Sequence, residues 1–288
     1  MFGKEKPKNI VDLAKEFDET KQNAEDTPSG DLRPNPTAEG SVPEVNHVKD
    51  ALASLLENVD SKNTYVEFNL PSLGKFYPGY GKQTVGVRPL KFSDEKRIQQ
   101  SAVGDRALDA LNTVLASCLQ GPNFMELTVP DKLYCLYRLR QLSYGSTYTF
   151  PQKCESCDKE NEINYELSSM KVDYLETSPE EGTTVTLPDS KKTAVVRTIR
   201  VKDEDKMSSL KDIIQSLPDW VERVEEHKDR NVISLFVEGT TVKDVAVLRK
   251  AIYSPPYGMD TEHDFFCSEC GKKNVMNIGI NSNFFFTS

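Results

Sequence analysis

Four of the six cysteines stand in two equal spacings, Cys154-Glu-Ser-Cys157 and Cys267-Ser-Glu-Cys270. Each pair is followed by a lysine and an asparagine at matched positions, Lys159 and Asn161 in one case, Lys272 and Asn274 in the other. A CxxC turn lets two thiolates and adjacent backbone N–H groups converge on one cation, and tetrahedral zinc takes four such sulfurs. One CxxC would be weak evidence; two at equivalent places in one chain are stronger. Each pair offers two ligands, so the simplest count is one structural zinc per chain on Cys154, Cys157, Cys267 and Cys270, clamping two halves near a pseudo-twofold axis. Pairing across the halves is an inference from that count, because the segment between Cys157 and Cys267 exceeds an ordinary zinc-ribbon spacing. A thioredoxin-like redox pair would open a helix, whereas these run into polar, strand-like segments. Disulfides or metal-free relics are the remaining readings.

The other reactive side chains point to less. Cys118 and Cys135 fall within apolar helical patterns and read as core thiols. His263, four residues before Cys267, is an alternative ligand, but a solvated or structural role fits it better; His227 lies in a charge-rich connection, and His47 in the N-terminal stretch. Trp220, after Pro218-Asp219, reads as a packing anchor. There is no GxSxG elbow, phosphate-binding glycine loop or HExxH helix, and nothing sets two carboxylates across a cleft. The expectation is a protein without enzymatic activity.

The elements that must position the cysteines recur. Comparing 128–163 with 241–276, without gaps, aligns Thr128 with Thr241, Val129 with Val242, Asp131 with Asp244, Tyr144 with Tyr257, Gly145 with Gly258, and the CxxC, Lys and Asn residues with their counterparts. Upstream, Val87-Arg88-Pro89-Leu90-Lys91-Phe92-Ser93-Asp94-Glu95 lies over Val196-Arg197-Thr198-Ile199-Arg200-Val201-Lys202-Asp203-Glu204. Phe68-Asn69-Leu70-Pro71 resembles Val185-Thr186-Leu187-Pro188. The expected organisation is an acidic N-terminal arm over 1–63 and two α+β repeats, 64–178 and 179–288, each with one CxxC.

Within each repeat, β-type runs come first, Tyr65 to Leu70 and Val85 to Phe92, then Thr183 to Leu187 and Ala194 to Val201. An amphipathic helix follows, with a stripe of Leu108, Leu111, Val114, Leu115 and Cys118, or of Met207, Leu210, Ile213, Ile214 and Leu217. A further helix opens at Thr128 or Thr241, each placed to cap a free N–H, with Asp131 or Asp244 three residues on and Pro130 in the first turn of its copy. Leu133, Leu136, Tyr137 and Leu139, or Val242, Val245, Leu248 and Ile252, supply the buried face, and Tyr-Gly ends each helix. Glu162 to Leu167 and Asn274 to Ile280 read as closing strands. The fold class is α+β, helices packed on small sheets.

Composition fits a soluble, acidic protein of a reducing compartment. The chain has 288 residues and a net charge of −9, so a broad nucleic-acid-gripping face is not expected. No apolar run is long enough to span a membrane, and the first residues lack the apolar core of a signal peptide. Six cysteines are too few for a disulfide-stapled secreted scaffold. The arm is acidic and proline-rich, with short apolar stripes at Ile10, Leu13, Ala14 and Phe17 and at Val48, Leu52, Leu55, Leu56 and Val59. It reads as a flexible segment able to dock on a partner, and its removal is expected to leave folding nearly intact.

The stretch from Val87 to about Leu175 resembles the baseplate hub assembly proteins of T-even-like contractile-tailed phages. The resemblance rests on Arg88-Pro89-Leu90-Lys91-Phe92, the Glu95-Lys96 helix opening, Leu111 to Cys118, Thr128-Val129-Pro130-Asp131, Leu139-Arg140-Gln141-Leu142-Ser143-Tyr144-Gly145 and the Cys154/Cys157 pair. It implies a non-enzymatic component or assembly factor of the tail baseplate hub, acting in the host cytoplasm during tail assembly or within the virion. Other hub proteins and the tape-measure protein are the implied partners, and the acidic arm departs from the family's compact pattern. The rival class is a zinc-ribbon-type module that binds nucleic acid or a transcription complex. It would need a basic face around the knuckles, where Glu155, Asp158, Glu160 and Glu269 offset Lys153, Lys159, Lys272 and Lys273.

Overall fold

The computed structural model describes residues 54–55, 64–101, 107–176, 182–207, 210–280 and 282–285. Nearly all of the arm therefore lies outside the described residues, including both of its apolar stripes apart from Leu55. Residues from Leu56 onward belong to one compact unit, which everything below concerns.

Two three-stranded antiparallel sheets open the two stretches of chain. In the first, β1 (Val66–Asn69) pairs with β2 (Thr84–Val87), which pairs with β3 (Leu119–Gln120). Between β2 and β3 run α1 (Phe92–Ser101) and α2 (Ala107–Cys118). The long helix α3 (Val129–Tyr144) follows, then the hairpin of β4 (Thr147–Lys153) and β5 (Glu160–Glu166), and the short β6 (Val172–Asp173). The second sheet has the same order, β7 (Thr183–Thr186), β8 (Thr193–Val196) and β9 (Val221–Val224). α4 (Leu210–Ser216) lies between β8 and β9; α5 (Arg230–Gly239), α6 (Val242–Tyr253), β10 (Gly258–Met259) and the hairpin of β11 (Glu262–Phe266) with β12 (Lys273–Asn277) complete the order. The architecture is α+β with several small sheets.

Positions that align in sequence make like bonds. Arg88 pairs with Asp94 at 2.8 Å, and Arg197 with Asp203 at 2.6 Å. In both cases the carboxylate also accepts a backbone N–H three residues back, from Lys91 and from Arg200, each at 3.0 Å. These bonds outweigh the burial that would raise the two carboxyls and hold both below the ordinary range. Buried Asp131 accepts the N–H of Ser72 at 3.0 Å, and buried Asp244 accepts the N–H of Asp189 at 2.8 Å. Each aspartate thereby ties a helix start to the turn after the first strand of its sheet.

Local details depart from the sequence reading for physical reasons. β2 and β8 end at Val87 and Val196, short of Phe92 and Val201, because the next residues turn away so that Asp94 and Asp203 can reach back to their arginines. Pro89 also lacks an N–H for a ladder. Thr241 caps its helix through the N–H of Asp244, whereas Thr128 makes no such bond and its hydroxyl lies 3.4 Å from that of Tyr77. α3 ends at Gly145, φ +90°, but α6 stops at Tyr253, ahead of Pro255-Pro256. The expected helix from Met207 to Leu217 is broken into 3-10 turns around α4, Pro218 lies in the last of them, and Ile214 is exposed. Val242 and Leu133 also point outward rather than into the buried faces assigned to them.

Two clusters of buried apolar side chains result. One packs Leu70, Val85, Val87, Leu115, Leu136 and Leu139 together with Ile278, Phe284 and Phe285 from the end of the chain. The other gathers Leu187, Val196, Leu217, Trp220, Ile233, Leu248 and Ile252, with Trp220 fully buried as an anchor. β10 pairs with β6, Tyr137 donates to the carbonyl of Ile278, and Arg140 donates to that of Phe284 at 2.8 Å, so the two stretches are stitched at several points. No helix among the described residues is long and apolar enough to cross a membrane.

Candidate metal centre

Both CxxC sequences sit at the tips of two-stranded hairpins. In β4–β5, Cys154 N–H donates to Lys159 O at 2.9 Å and Asp158 N–H to Cys154 O at 3.0 Å; in β11–β12, Cys267 N–H donates to Lys272 O and Gly271 N–H to Cys267 O, both at 2.9 Å. Closing such a turn needs one residue in the left-handed region, and it is Asp158 (φ +55°) in one knuckle and Gly271 (φ +66°) in the other. The turn curls the two sulfurs of a pair toward the same side, one buried (Cys154, Cys267) and one exposed (Cys157, Cys270).

The hairpins meet tip to tip. All four sulfurs lie within 4.8 Å of one another. Two approaches across the hairpins are reciprocal, Cys154 to Cys270 at 3.7 Å and Cys157 to Cys267 at 3.6 Å. Metal–thiolate bonds of about 2.3 Å in a tetrahedron imply sulfur–sulfur edges of about 3.8 Å, so these thiols fit a zinc-sized ion with little rearrangement. All six cysteines are free thiols. The backbone N–H of Cys270 and Glu269 hold the Cys267 thiol down to about 6, and that of Ser156 lowers Cys154. Cys157, despite the N–H of Lys159, is pushed up to about 12 by desolvation and the neighbouring sulfurs. The site thus favours thiolate at its buried positions, the form that binds a cation.

Two buried asparagines hold the tips in place. Asn161 donates to Lys159 O at 3.0 Å within its own hairpin and accepts Ser268 N–H at 2.8 Å from the other; its amide also lies 3.7 Å from Cys267 Sγ. Asn274 repeats this, donating to Lys272 O at 2.9 Å and accepting Glu155 N–H at 3.0 Å. In the sequence both residues stand out only as matched identities, with no role attached. Their identity two residues after the matched lysine was the available signal.

His263 is not in the cluster; its ring packs on Tyr165 at 4.5 Å between centroids, with Nε2 3.0 Å from the Tyr165 hydroxyl. Cys118 and Cys135 are fully buried elsewhere, and burial pushes both thiols up, Cys118 to about 11. Among the knuckle lysines, Lys273 is paired with Asp264 at 2.7 Å.

The fold and this site define an α+β protein in which four thiols, two from each of two distant hairpins, face one another and leave no carboxylate or histidine among them. A family model described as T4 bacteriophage base plate protein matches residues 62–286, and the chain belongs to that family. Neither a curated protein nor a solved structure matches it. Membership gives the chain a structural role in the phage tail baseplate, among other baseplate proteins of the virion tail.

Proposed function

We propose that the chain is two tandem copies of one α+β unit, 64–178 and 179–288, clamped by a structural zinc on Cys154, Cys157, Cys267 and Cys270, and that it is a non-enzymatic component or assembly factor of the baseplate hub. The observation that carries the clamp is the meeting of four sulfurs, all within 4.8 Å, from hairpins more than a hundred residues apart, with two approaches across the hairpins at tetrahedral edge length. The equal strand orders and the matched Arg–Asp and Asp–turn bonds support the duplication. A zinc in this shell would supply cross-linking alone, since four cysteines leave no coordination position for a substrate. The acidic arm 1–63 serves as the docking segment for hub proteins or the tape-measure protein, in the host cytoplasm while the tail is assembled.

Elemental analysis of freshly reduced protein tests the clamp: about one zinc per chain is expected, lost when Cys267→Ser and Cys270→Ser are combined, and its absence from wild-type protein overturns it. Mass spectrometry of assembly intermediates and mature particles purified from infected cells tests the hub assignment. Hub proteins should co-purify, and oligonucleotide anisotropy should show little binding at physiological salt, as the charge of −9 predicts.

A further inference from the structure

We propose that the chain associates head to tail with a second copy of itself, through a contact that the two halves already make once within the chain. The proposal rests on the two-copy reading above. The internal contact runs in one direction. Val129 N–H donates to Ile199 O and Val201 N–H to Leu127 O, both at 2.9 Å, forming a short antiparallel bridge centred on Thr128 and Arg200. Glu126 takes Arg200 and Lys202, and Lys132 takes Glu204 at 2.6 Å. Leu127, Thr128, Ile199 and Val201 are all buried by it or beside it.

The reverse contact would join the aligned segments, 240–242 and 90–92. Among the described residues no such bridge exists. Instead Val242, aligned with Val129, is 82% exposed, and Phe92, aligned with Val201, is 77% exposed. The backbone is nevertheless preset: Thr241 (φ −75°, ψ 157°) has nearly the conformation of Thr128 (φ −69°, ψ 149°), which pairs. Lys91 and Glu95 occupy the positions of Arg200 and Glu204, whereas Glu126 and Lys132 align with Gly239 and Val245, so the ion pairs of the internal contact have no counterpart and the repeated contact is backbone and apolar.

A second copy therefore fits where a half would. Its 90–92 segment meets the 240–242 segment of the first, with Phe92 and Val242 as apolar anchors. The interface is heterologous, so a pair keeps one free face at each end and longer chains can add to it. A contact this small gives weak, concentration-dependent association.

Sedimentation velocity of the full chain, beside Phe92→Glu, Val242→Glu and their equimolar mixture, tests this. Wild type should become heavier with concentration, each variant alone should associate about tenfold more weakly or worse, and the mixture should recover a one-to-one pair that does not grow. That recovery occurs because one variant keeps Val242 and the other keeps Phe92. Wild type that stays monomeric, association indifferent to both substitutions, or a mixture no better than its parts would each overturn the proposal. Circular dichroism confirms that the variants fold, with Phe92→Ser and Val242→Ser as milder replacements. Zinc content of the same samples separates the two readings, since a monomer holding one zinc removes head-to-tail association and leaves the clamp standing.

Discussion

Asn161 accepts the backbone N–H of Ser268 across 107 residues of sequence, at 2.8 Å, and by doing so positions the knuckle that carries Cys267. Asn274 returns the same bond to Glu155 beside Cys154. Groups that orient ligands in this way typically account for about 10–100-fold in metal affinity. Asn161→Ala and Asn274→Ala should each weaken zinc binding by that order without unfolding the cores. Competition against a chromophoric chelator reads the effect directly, and an unchanged affinity in both would show that the asparagines are only hairpin braces.

Asp131 is fully buried and satisfies the N–H of Ser72 at 3.0 Å and the hydroxyl of Tyr77 at 2.5 Å. Asp131→Ala orphans the Ser72 N–H and leaves the Tyr77 hydroxyl only its longer contact to Thr128, and an orphaned buried donor costs about 1–3 kcal/mol. The urea midpoint should fall accordingly, and Asp131→Asn, which keeps an acceptor for Ser72, should fall less.

The two matched aspartates should give opposite pH dependence. Burial works against Asp244, but the N–H groups of Asp189 and Ser190 with the Thr240 hydroxyl bring it down to about 2. Unfolded chain then binds the proton more tightly, so this contribution is present above the usual carboxylate value and is lost as pH falls through about 2. Burial pushes Asp131 up, with bonds from Ser72 and Tyr77 only partly opposing it. There the folded chain holds the proton more tightly, and stability declines as pH rises above the usual carboxylate value. Denaturation midpoints across the acid range should therefore show a smaller low-pH fall in Asp244→Asn, with the part due to Asp94 and Asp203 remaining, and a smaller opposing decline in Asp131→Asn.

Phe284 packs edge-on against Tyr137 at 5.0 Å and Tyr148 at 5.1 Å between ring centroids, deep in the first cluster. Phe284→Ala should cost about 3–5 kcal/mol, as such core truncations do. The loss is expected in calorimetry even though the residue lies at the far end of the sequence from that cluster. A change within a few tenths of a kcal/mol would mean the terminal turn is a lid rather than core.

What could be read from sequence was whatever is fixed locally. The CxxC turns were legible because four residues and one left-handed position determine them, and doubling them suggested the meeting of the sulfurs. Cys118, Cys135 and Trp220 were legible from apolar spacing, and all three are buried. The cross-hairpin role of Asn161 and Asn274 was not, because each reaches over a hundred residues away. The same holds for Asp131 and Asp244, which resemble ordinary helix-start acids but bind turns 59 and 55 residues upstream. Helix α5 was missed because Glu225 to Arg230 reads as a solvated face; the helical spacing of Ile233 and Val237, both buried, was the overlooked signal.

The place of Ile278, Phe284 and Phe285 in the first cluster has a consequence for synthesis. A ribosome delivers the first sheet and α3 well before these residues, yet that cluster stays open on one side until Phe284 and Phe285 emerge. Folding of the first cluster is thus coupled to residues far along the chain and is not finished as an independent domain would be. A chain stopped before Phe284 and Phe285 should therefore leave apolar surface of the first cluster uncovered.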